Sequence, residues 1–516
     1  MIRHLRNLVR LVAIARTLGR FGALPADELR PIAPGPAWMM ARLNRTGVPG
    51  RKGQRLARAL TALGPSFVKL GQALSTRADL VGEAVAADLA QLRDRLDPFP
   101  GAEARRAVEE ALGRPVAEVY ATFDDQAVAA ASIAQVHFAE TPDGRRVAVK
   151  VLRPGVEAAF ARDLDLMDWL ARLALAVQPK LARLKPVEVV RTVADSVALE
   201  MDLRMEAAAA SELADNFTGD TSFQIPAVDW DRTAKRVMTI ARVDGTPVDR
   251  VDALRAAGHD PDVILQHAAN AFFNMVFRDG FFHADLHPGN LFVDGSGNLV
   301  AVDFGIMGRL DRQTRLYLAD MLVGFLNRDY DLVARVHFEA GYVPADQSLE
   351  LFRQACRSIG EPVHGRPLHE ISVGKLLAQL FATTERFAME TQPQLLLLQK
   401  SMLTAEGVGR VLNPTINMWE LARPLIERWM IENRGPEARV AETATALATI
   451  AGKLPQLLRD AEAVSAQLAG GGLRLHPDTV RALAATELAQ TRESLRPVWW
   501  AVGVAVVLGL LAMVAG

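Results

Sequence analysis

The chain has 516 residues, half of them hydrophobic, which is enough for two or three average domains or one large fold with extensions. Its formal net charge is −1, so nothing in the composition favours a nucleic-acid-binding protein, and no nucleic acid partner is expected. A single cysteine, Cys356, excludes an intrachain disulfide framework and a cysteine-rich zinc site, and we expect it to be a buried apolar residue.

Residues 1–60 are predicted to be a basic amphipathic region, with no acidic residue before Asp27. Such a helix could lie on an anionic membrane surface, act as a transit peptide, or dock on the rest of the protein as an ordinary helix. The arginines that define the region are Arg3, Arg6, Arg10, Arg16 and Arg20.

Residues 61–120 are predicted to be a helical extension. Apolar residues recur at helical spacing over 65–96, a stretch that begins at Gly64–Pro65 and ends at Asp97–Pro98. A shorter helix is predicted near 101–113.

From residue 123 the apolar pattern becomes typical of strands, and residues 121–245 are predicted to form a small β-rich lobe. The turn at Pro142–Gly144 separates two strand-like runs, which together predict a hairpin. The elements predicted in this lobe are strands over 133–138 and 147–152, a long helix over 187–215 and a strand over 235–243.

Residues 246–430 are predicted to form a larger, mostly helical lobe, with short strands near 291–293 and 299–302. A helical tail over 431–495 follows, with a flexible joint at Gly470–Gly472. The expected class is therefore α+β, with two lobes and helical additions at both ends.

Residues 497–516 are predicted to be a single transmembrane anchor, because no charged residue occurs from Val498 to Val514. Trp499 and Trp500 stand where an aromatic belt would lie. Arg492 and Arg496 precede the run, so we expect the bulk of the chain to be cytoplasmic. The alternative is a buried C-terminal helix.

Two motifs carry the strongest chemical signal: His-Ala-Asp-Leu-His-Pro-Gly-Asn at 283–290 and Asp-Phe-Gly at 303–305. Phosphoryl transfer needs a carboxylate to position the acceptor and oxygen ligands for the magnesium on the phosphates. The spacing of Asp285 and Asn290, followed by Asp303, is that of a kinase catalytic loop and its metal-binding motif. We predict that Asp285 is catalytic and that Asn290 and Asp303 hold Mg²⁺; the alternative is a hairpin with turn-forming residues.

Lys150 ends the apolar run Val147-Ala148-Val149, as a phosphate-binding kinase lysine does. We predict that it contacts the phosphates of ATP or ADP and pairs with a glutamate on the next long helix. Glu206 is the first candidate for that partner and Glu212 the second.

An alanine-rich loop stands before Lys150, where a kinase has a glycine-rich loop. Alanine keeps the side chains small but removes the backbone freedom of glycine, so the nucleotide should be held in a different geometry. The alternative is a plain helix-to-strand connection. The residues predicted to contact the nucleotide are Val128, Ala129, Ala130, Ala131, Ser132, Ile133, Ala134, Gln135 and Val136.

These motifs together resemble the UbiB family of atypical kinase-like proteins over roughly residues 60–412. Lys69-Leu70-Gly71-Gln72 matches the K-x-G-Q motif of the family, and Glu200-Met201-Asp202 matches its E-x-D motif. Ala209 departs from the family, which often has asparagine there. Ala241 and Arg242 depart from the Met-Glu-Trp often found at the interlobe hinge.

The resemblance implies a bilobal protein-kinase-like fold in which Lys69, Gln72, Glu200 and Asp202 belong to a regulatory lid over the active site. It implies an ATPase or kinase that uses ATP or ADP with Mg²⁺ and supports ubiquinone biosynthesis. The expected location is the inner membrane of a bacterium, with membrane lipid, quinone precursors and the biosynthetic enzymes as partners. A homodimer is left open.

Two other functions are compatible with the motifs. A small-molecule kinase would share the H-x-D-x-x-x-x-N loop without the arginine that Ala284 replaces. A nucleotide-gated scaffold would hold other enzymes at the membrane without catalysis.

Overall fold

The computed structural model describes residues 2–30, 34–75, 81–89, 92, 97–177, 186–364, 379–380, 382–384, 386–389, 392–416 and 418–434. The chain divides into two units, Met1–Met430 and Ile431–Gly516, and only residues 431–434 of the second are described. Within the described ranges, no helix has both the length and the apolar character needed to cross a bilayer. The predicted anchor over 497–516 and the predicted joint at Gly470–Gly472 lie outside these ranges.

The N-terminal part of the first unit is helical. Its helices are α1 (Ile2–Arg20), α2 (Ala26–Leu29), α3 (Pro34–Leu43), α4 (Lys52–Leu63), α5 (Pro65–Ser75) and α6 (Glu83–Leu89). Where the sequence predicted one helical stretch over 65–96, the described residues contain two shorter helices, α5 and α6.

Helix α1 docks on the rest of the unit. Arg10 donates two hydrogen bonds to the buried carboxylate of Asp163, at 2.8 and 3.0 Å, and Arg6 pairs with Asp165 at 2.9 Å. Ile14 is buried in the same helical cluster. These contacts are the ones expected of an ordinary helix that docks on the rest of the protein, which is one of the three alternatives given for the basic region.

The glycine of the K-x-G-Q motif has a packing role. A Cβ atom at Gly71 would lie 2.4 Å from a methyl carbon of Leu92 and 2.7 Å from one of Leu60. A side chain there would push α5 away from its neighbours, so glycine permits the close approach.

The small lobe is built on an antiparallel sheet of four strands, in the order β1 (Thr122–Phe123), β3 (Ala134–Glu140), β4 (Arg146–Leu152) and β6 (Val237–Ala241), and β2 (Ala129–Ala130) is added beside β3. The predicted hairpin is confirmed, since Ala134 stands opposite Leu152 and Glu140 opposite Arg146. One face of the sheet packs on α7. The elements up to the end of β4 are α7 (Gly101–Leu112), α8 (Val116–Val119), β1 (Thr122–Phe123), β2 (Ala129–Ala130), β3 (Ala134–Glu140) and β4 (Arg146–Leu152).

The predicted helix over 187–215 is broken in the structure, so that prediction was wrong in its continuity. Asp202 accepts a hydrogen bond from the backbone N–H of Arg204 and begins a new helix there, as aspartate does at N-caps. The elements that complete the small lobe are α9 (Val156–Val177), α10 (Pro186–Glu200), α11 (Leu203–Asn216), β5 (Phe223–Gln224), β6 (Val237–Ala241) and β7 (Thr246–Pro247).

The larger lobe is mainly helical, and one hydrophobic core runs from the small lobe into it. The predicted strands near 291 and 299 are confirmed as an antiparallel pair, β9 with β10. A second pair, β8 with β11, was not predicted. The elements are α12 (Val251–Ala256), α13 (Pro261–Phe273), a π-helix (Asn274–Asp279), β8 (Phe281–His283), β9 (Leu291–Val293), β10 (Leu299–Ala301), β11 (Met307–Arg309), α14 (Arg312–Leu326), α15 (Tyr330–Glu339), α16 (Leu349–Gly360), α17 (Pro393–Leu412) and α18 (Met418–Arg434).

Candidate active site

Lys150 joins the two lobes at the centre of the candidate site. It lies on β4 between Val136 of β3 and Met238 of β6. Its Nζ donates to Oε1 of Glu206 at 2.6 Å and to Oδ1 of Asp303 at 3.1 Å. The structure therefore brings together three residues that are far apart in sequence and that we predicted for phosphate and metal binding.

Glu206 lies on α11 with 9% of its side chain exposed. Its Oε1 also accepts the backbone N–H of Phe304 at 3.2 Å, which ties it to the Asp-Phe-Gly segment. Glu212, the second candidate, pairs instead with Arg309 at 2.8 Å. Glu206 is thus the glutamate that orients Lys150.

Lys150 and Asp303 hold each other in their charged forms, although burial opposes both charges. Burial alone would lower the pKa of Lys150, but the Asp303 and Glu206 carboxylates outweigh it and raise that pKa above its usual value. Burial would raise the pKa of Asp303, but the Lys150 ammonium holds it well below its usual range. Burial raises the pKa of Glu206, and Asp303 adds to that rise while Lys150 opposes it.

His283 links the catalytic loop to the Asp-Phe-Gly segment. The backbone N–H of Asp285 donates to its Nδ1 at 3.0 Å, so the other ring nitrogen, Nε2, carries the proton and donates to the carbonyl of Asp303 at 2.5 Å. Burial lowers the pKa of His283, which keeps the ring neutral. Asn290 closes the loop, because its Nδ2 donates to the carbonyl of Asp285 at 3.2 Å.

The backbone of Asp303 is in the left-handed region, with φ of 69°. Among the described residues other than glycine, only Arg328 and Ala388 also have a positive φ. A non-glycine residue in that region costs about 1–3 kcal/mol, and such residues cluster at functional sites. The turn aims the Asp303 carboxylate at Lys150.

The oxygens at the site suit a magnesium ion. The Asp303 carboxylate is 49% exposed, and the Asn290 amide, whose Nδ2 is bonded to the carbonyl of Asp285, has Oδ1 as the atom that is able to bind a cation. Within the described ranges, no group of three or more His, Cys, Asp or Glu residues is placed to hold a metal ion. Magnesium sites in nucleotide-binding proteins commonly have one or two protein ligands and are completed by phosphate and water.

The alanine-rich loop is a tight hairpin between β2 and β3, in which the N–H of Ala131 donates to the carbonyl of Ala134 at 2.7 Å. Ser132, Ala134 and Gln135 are buried, whereas residues 128–131 are exposed or half-exposed. The nucleotide contacts predicted for the whole segment are therefore available chiefly to its first half.

The side chain of Gln135 is engaged within the protein, and its predicted nucleotide contact stays a prediction. It is buried and holds the backbone of Phe99, accepting from the N–H at 2.9 Å and donating to the carbonyl at 3.1 Å. This clamp fixes the loop to the segment that precedes α7.

The predicted lid residues are divided between the N-terminal helices, which carry Lys69 and Gln72, and the small lobe, which carries Glu200 and Asp202. Lys69 of α5 pairs with Glu200 of α10 at 2.8 Å, and α5 packs on α9 and α10. Gln72 is half-buried. Asp202 caps α11 and pairs with Arg204, so Glu200 and Asp202 serve different partners.

We expect removal of Lys69 to destabilise the protein more than removal of an exposed lysine. Only 11% of the Lys69 side chain and 13% of the Glu200 side chain are exposed, and an uncompensated buried charge costs about 3–5 kcal/mol. Lys69→Met and Glu200→Gln should each lower the free energy of unfolding in urea, and the double variant should lose less than their sum. Arg172→Met, which breaks an exposed pair with Asp168, should change it by less than about 1 kcal/mol. Additive losses would contradict direct coupling.

A residue that the motifs did not indicate also reaches the site. Lys400 of α17 places its Nζ 3.0 Å from Oδ1 of Asp285. The next residue, Ser401, is buried and donates to the carbonyl of His283 at 3.2 Å. Nothing in the sequence around Lys400 signals this contact, because it depends on how α17 folds back onto the catalytic loop.

Comparison with known families agrees with this geometry. The ABC1 atypical kinase-like domain matches residues 91–337, and the UbiB helical domain matches residues 356–417, which include Lys400. The first match contains the Lys150 cluster and the catalytic loop.

Several bacterial relatives carry the name "Probable protein kinase UbiB". The relative from Marinobacter nauticus is 45% identical over 417 residues, covering 80% of this chain and 76% of its own. The relative from Aeromonas salmonicida is 43% identical over 415 residues, covering 79% and 76%. The relative from Pseudomonas aeruginosa is 42% identical over 441 residues, covering 83% and 82%. The chain therefore belongs to the UbiB family of ABC1 atypical kinase-like proteins.

Proposed function

We propose that this chain is an atypical kinase or ATPase that binds ATP with Mg²⁺ in the cleft between its lobes. One observation carries the proposal: Nζ of Lys150 lies 2.6 Å from Glu206 and 3.1 Å from Asp303. In protein kinases, phosphoryl transfer requires an ion pair between this lysine and a helix glutamate, together with the metal-binding aspartate.

Each residue has a distinct task. Lys150, oriented by Glu206, binds the non-transferred phosphates, and Asp303 and Asn290 hold the metal ion. Mg²⁺, when bound, neutralises phosphate charge. Asp285 positions the attacking hydroxyl or water and accepts its proton. The neutral ring of His283 hydrogen-bonds to the backbone of both Asp285 and Asp303 and so fixes their relative positions.

Asp303→Asn should abolish most ATP turnover while leaving the fold intact. Asparagine tolerates the left-handed backbone but is a neutral ligand, and a bound metal contributes several kcal/mol, so phosphate release should fall at least about 100-fold. Asp244→Asn is the control, because Asp244 is a similarly exposed carboxylate that pairs with Arg146 and Arg242. Equal phosphate release by wild type and Asp303→Asn would refute the proposal.

We further propose that this turnover supports the ring-modifying steps of ubiquinone biosynthesis, alongside the biosynthetic enzymes and lipid precursors. Family membership is the support for this role. The same Asp303→Asn variant tests it in a strain that lacks the gene. Failure to restore quinone, with accumulated precursors, supports catalysis, whereas full restoration would favour the non-catalytic scaffold.

We propose that residues 497–516 anchor the protein in the inner membrane of a bacterium, with the catalytic lobes in the cytoplasm. The support is the uncharged run from Val498 to Val514 behind Arg492 and Arg496. A chain that ends at Arg496 should leave the membrane pellet after high-salt washing. If the shortened chain stays in the pellet as the full chain does, this anchor is not what holds the protein there.

A further inference from the structure

The catalytic segment itself contains no permanent positive charge. Neither lysine nor arginine occurs between Arg278 and Arg309, a stretch that includes the catalytic loop and the Asp-Phe-Gly motif. Phosphoryl transfer at Asp285 develops negative charge on the transferred group, and cations placed beside it stabilise the transition state. The cations must therefore come from other parts of the chain.

Two lysines approach this segment from opposite directions. Lys150 reaches Asp303 from the small lobe, and Lys400 reaches Asp285 from α17, at 3.0 Å. In the proposed mechanism, Asp285 positions the acceptor and Asp303 holds the metal ion. The two lysines therefore serve different ends of the nucleotide phosphates.

The position of Lys400 is set by the residues around it. Ser401 donates from its buried hydroxyl to the carbonyl of His283, and Leu398 is buried in the main core. These contacts fix α17 against the catalytic loop. The Lys400 side chain is 45% exposed, so its ammonium can leave Asp285 for a phosphate in the cleft without unfolding the helix.

We propose that Lys400 is a catalytic residue that binds the terminal phosphate of ATP and stabilises its charge during transfer. This deepens the proposed function and rests on it. In the step, the bond from the terminal phosphorus to the bridging oxygen of ADP breaks, and a bond to the acceptor oxygen forms. The acceptor proton goes to Asp285, and Lys400 keeps its own protons throughout.

A purely structural role for Lys400 makes different predictions. If the lysine only tied α17 to the loop, its loss would weaken binding of all nucleotides alike, or would lower stability without a specific effect on turnover. Contact with the terminal phosphate should instead separate ATP from ADP, because only ATP carries that group.

The test uses the full chain with Lys400→Met and Lys400→Arg. We measure the Kd of ADP, the Kd of an ATP analogue with a non-hydrolysable terminal linkage, and kcat for phosphate release. For Lys400→Met we expect an ADP Kd within about twofold of wild type, and an analogue Kd raised about tenfold by loss of one charge-assisted contact. We expect kcat to fall about 100-fold, and Lys400→Arg to recover part of that loss.

Arg410→Met is the matched control, because Arg410 lies on the same helix and pairs with Glu406. It should leave all three measurements unchanged. Equal weakening of ADP and analogue by Lys400→Met, or an unchanged kcat, would overturn the proposal. If wild type and Asp303→Asn release phosphate equally, the proposed function fails instead, and the comparison of ADP with the analogue still decides whether Lys400 meets the terminal phosphate.

Discussion

Lys150→Met is expected to weaken nucleotide binding and to destabilise the protein. The variant removes the ammonium that pairs with both Glu206 and Asp303. The buried carboxylate of Glu206 is then left without its counter-charge. Breaking such a pair costs about 3–5 kcal/mol, with most of the loss at Glu206, because the half-exposed Asp303 is screened by solvent. The Kd of ADP should rise about 10–100-fold, since a hydrogen bond to a charged group contributes about 1.5–3 kcal/mol.

A second substitution separates these two effects. Lys150→Met combined with Glu206→Gln removes the uncompensated charge and keeps an acceptor for the N–H of Phe304. The double variant should regain stability in urea denaturation without regaining ADP binding in calorimetry. Lys235→Met is the control, because Lys235 forms an exposed pair with Glu157 in the same lobe. Restored ADP binding in the double variant would show that Lys150 acts on the fold and not on phosphate.

His283→Phe should reduce kcat about 100-fold, although His283 touches no substrate in the proposed mechanism. The neutral ring bridges the N–H of Asp285 and the carbonyl of Asp303, and small displacements of reacting groups cost about 100-fold in rate. Phenylalanine fills similar volume beside Phe304 but offers neither the acceptor nor the donor. The two backbone groups lose their partners, at about 1–3 kcal/mol each.

His337→Phe supplies the matching comparison for this variant. His337 is half-buried, burial also lowers its pKa, and its Nδ1 hydrogen-bonds locally, to the carbonyl of Val333. We expect it to lose stability but to keep its kcat. A similar fall of kcat in both variants, measured at a temperature where both are folded, would mean that His283 contributes only to stability.

Local motifs were sufficient to predict most of the site, because spacing constrains residues within one loop or strand. Asp285 and Asn290 are five residues apart, and their relation follows from the loop itself. To predict that Lys150 pairs with Glu206, we also needed the order of strands and helices along the chain. The apolar pattern of the strands was strong enough to indicate that order. The contact of the Gln135 side chain with Phe99 was not predicted, because a motif does not show which side of a hairpin each side chain takes.

The features that local motifs did not predict depend largely on long-range packing. Lys400 meets Asp285 across 115 residues of sequence, through a helix whose apolar pattern indicates burial but not its neighbour. The break between α10 and α11 was missed for a different reason. Both segments favour helix, and only the capping bond of Asp202 shows where one ends and the next begins.

The left-handed turn at Asp303 implies a trade-off between stability and activity. The fold tolerates an unfavourable backbone conformation there because a carboxylate is needed at that point. Glycine would relieve the strain, so a descendant released from turnover would gain backbone stability by changing this residue. Glycine at position 303 in a related chain would therefore be a signature of a member that binds nucleotide without using it.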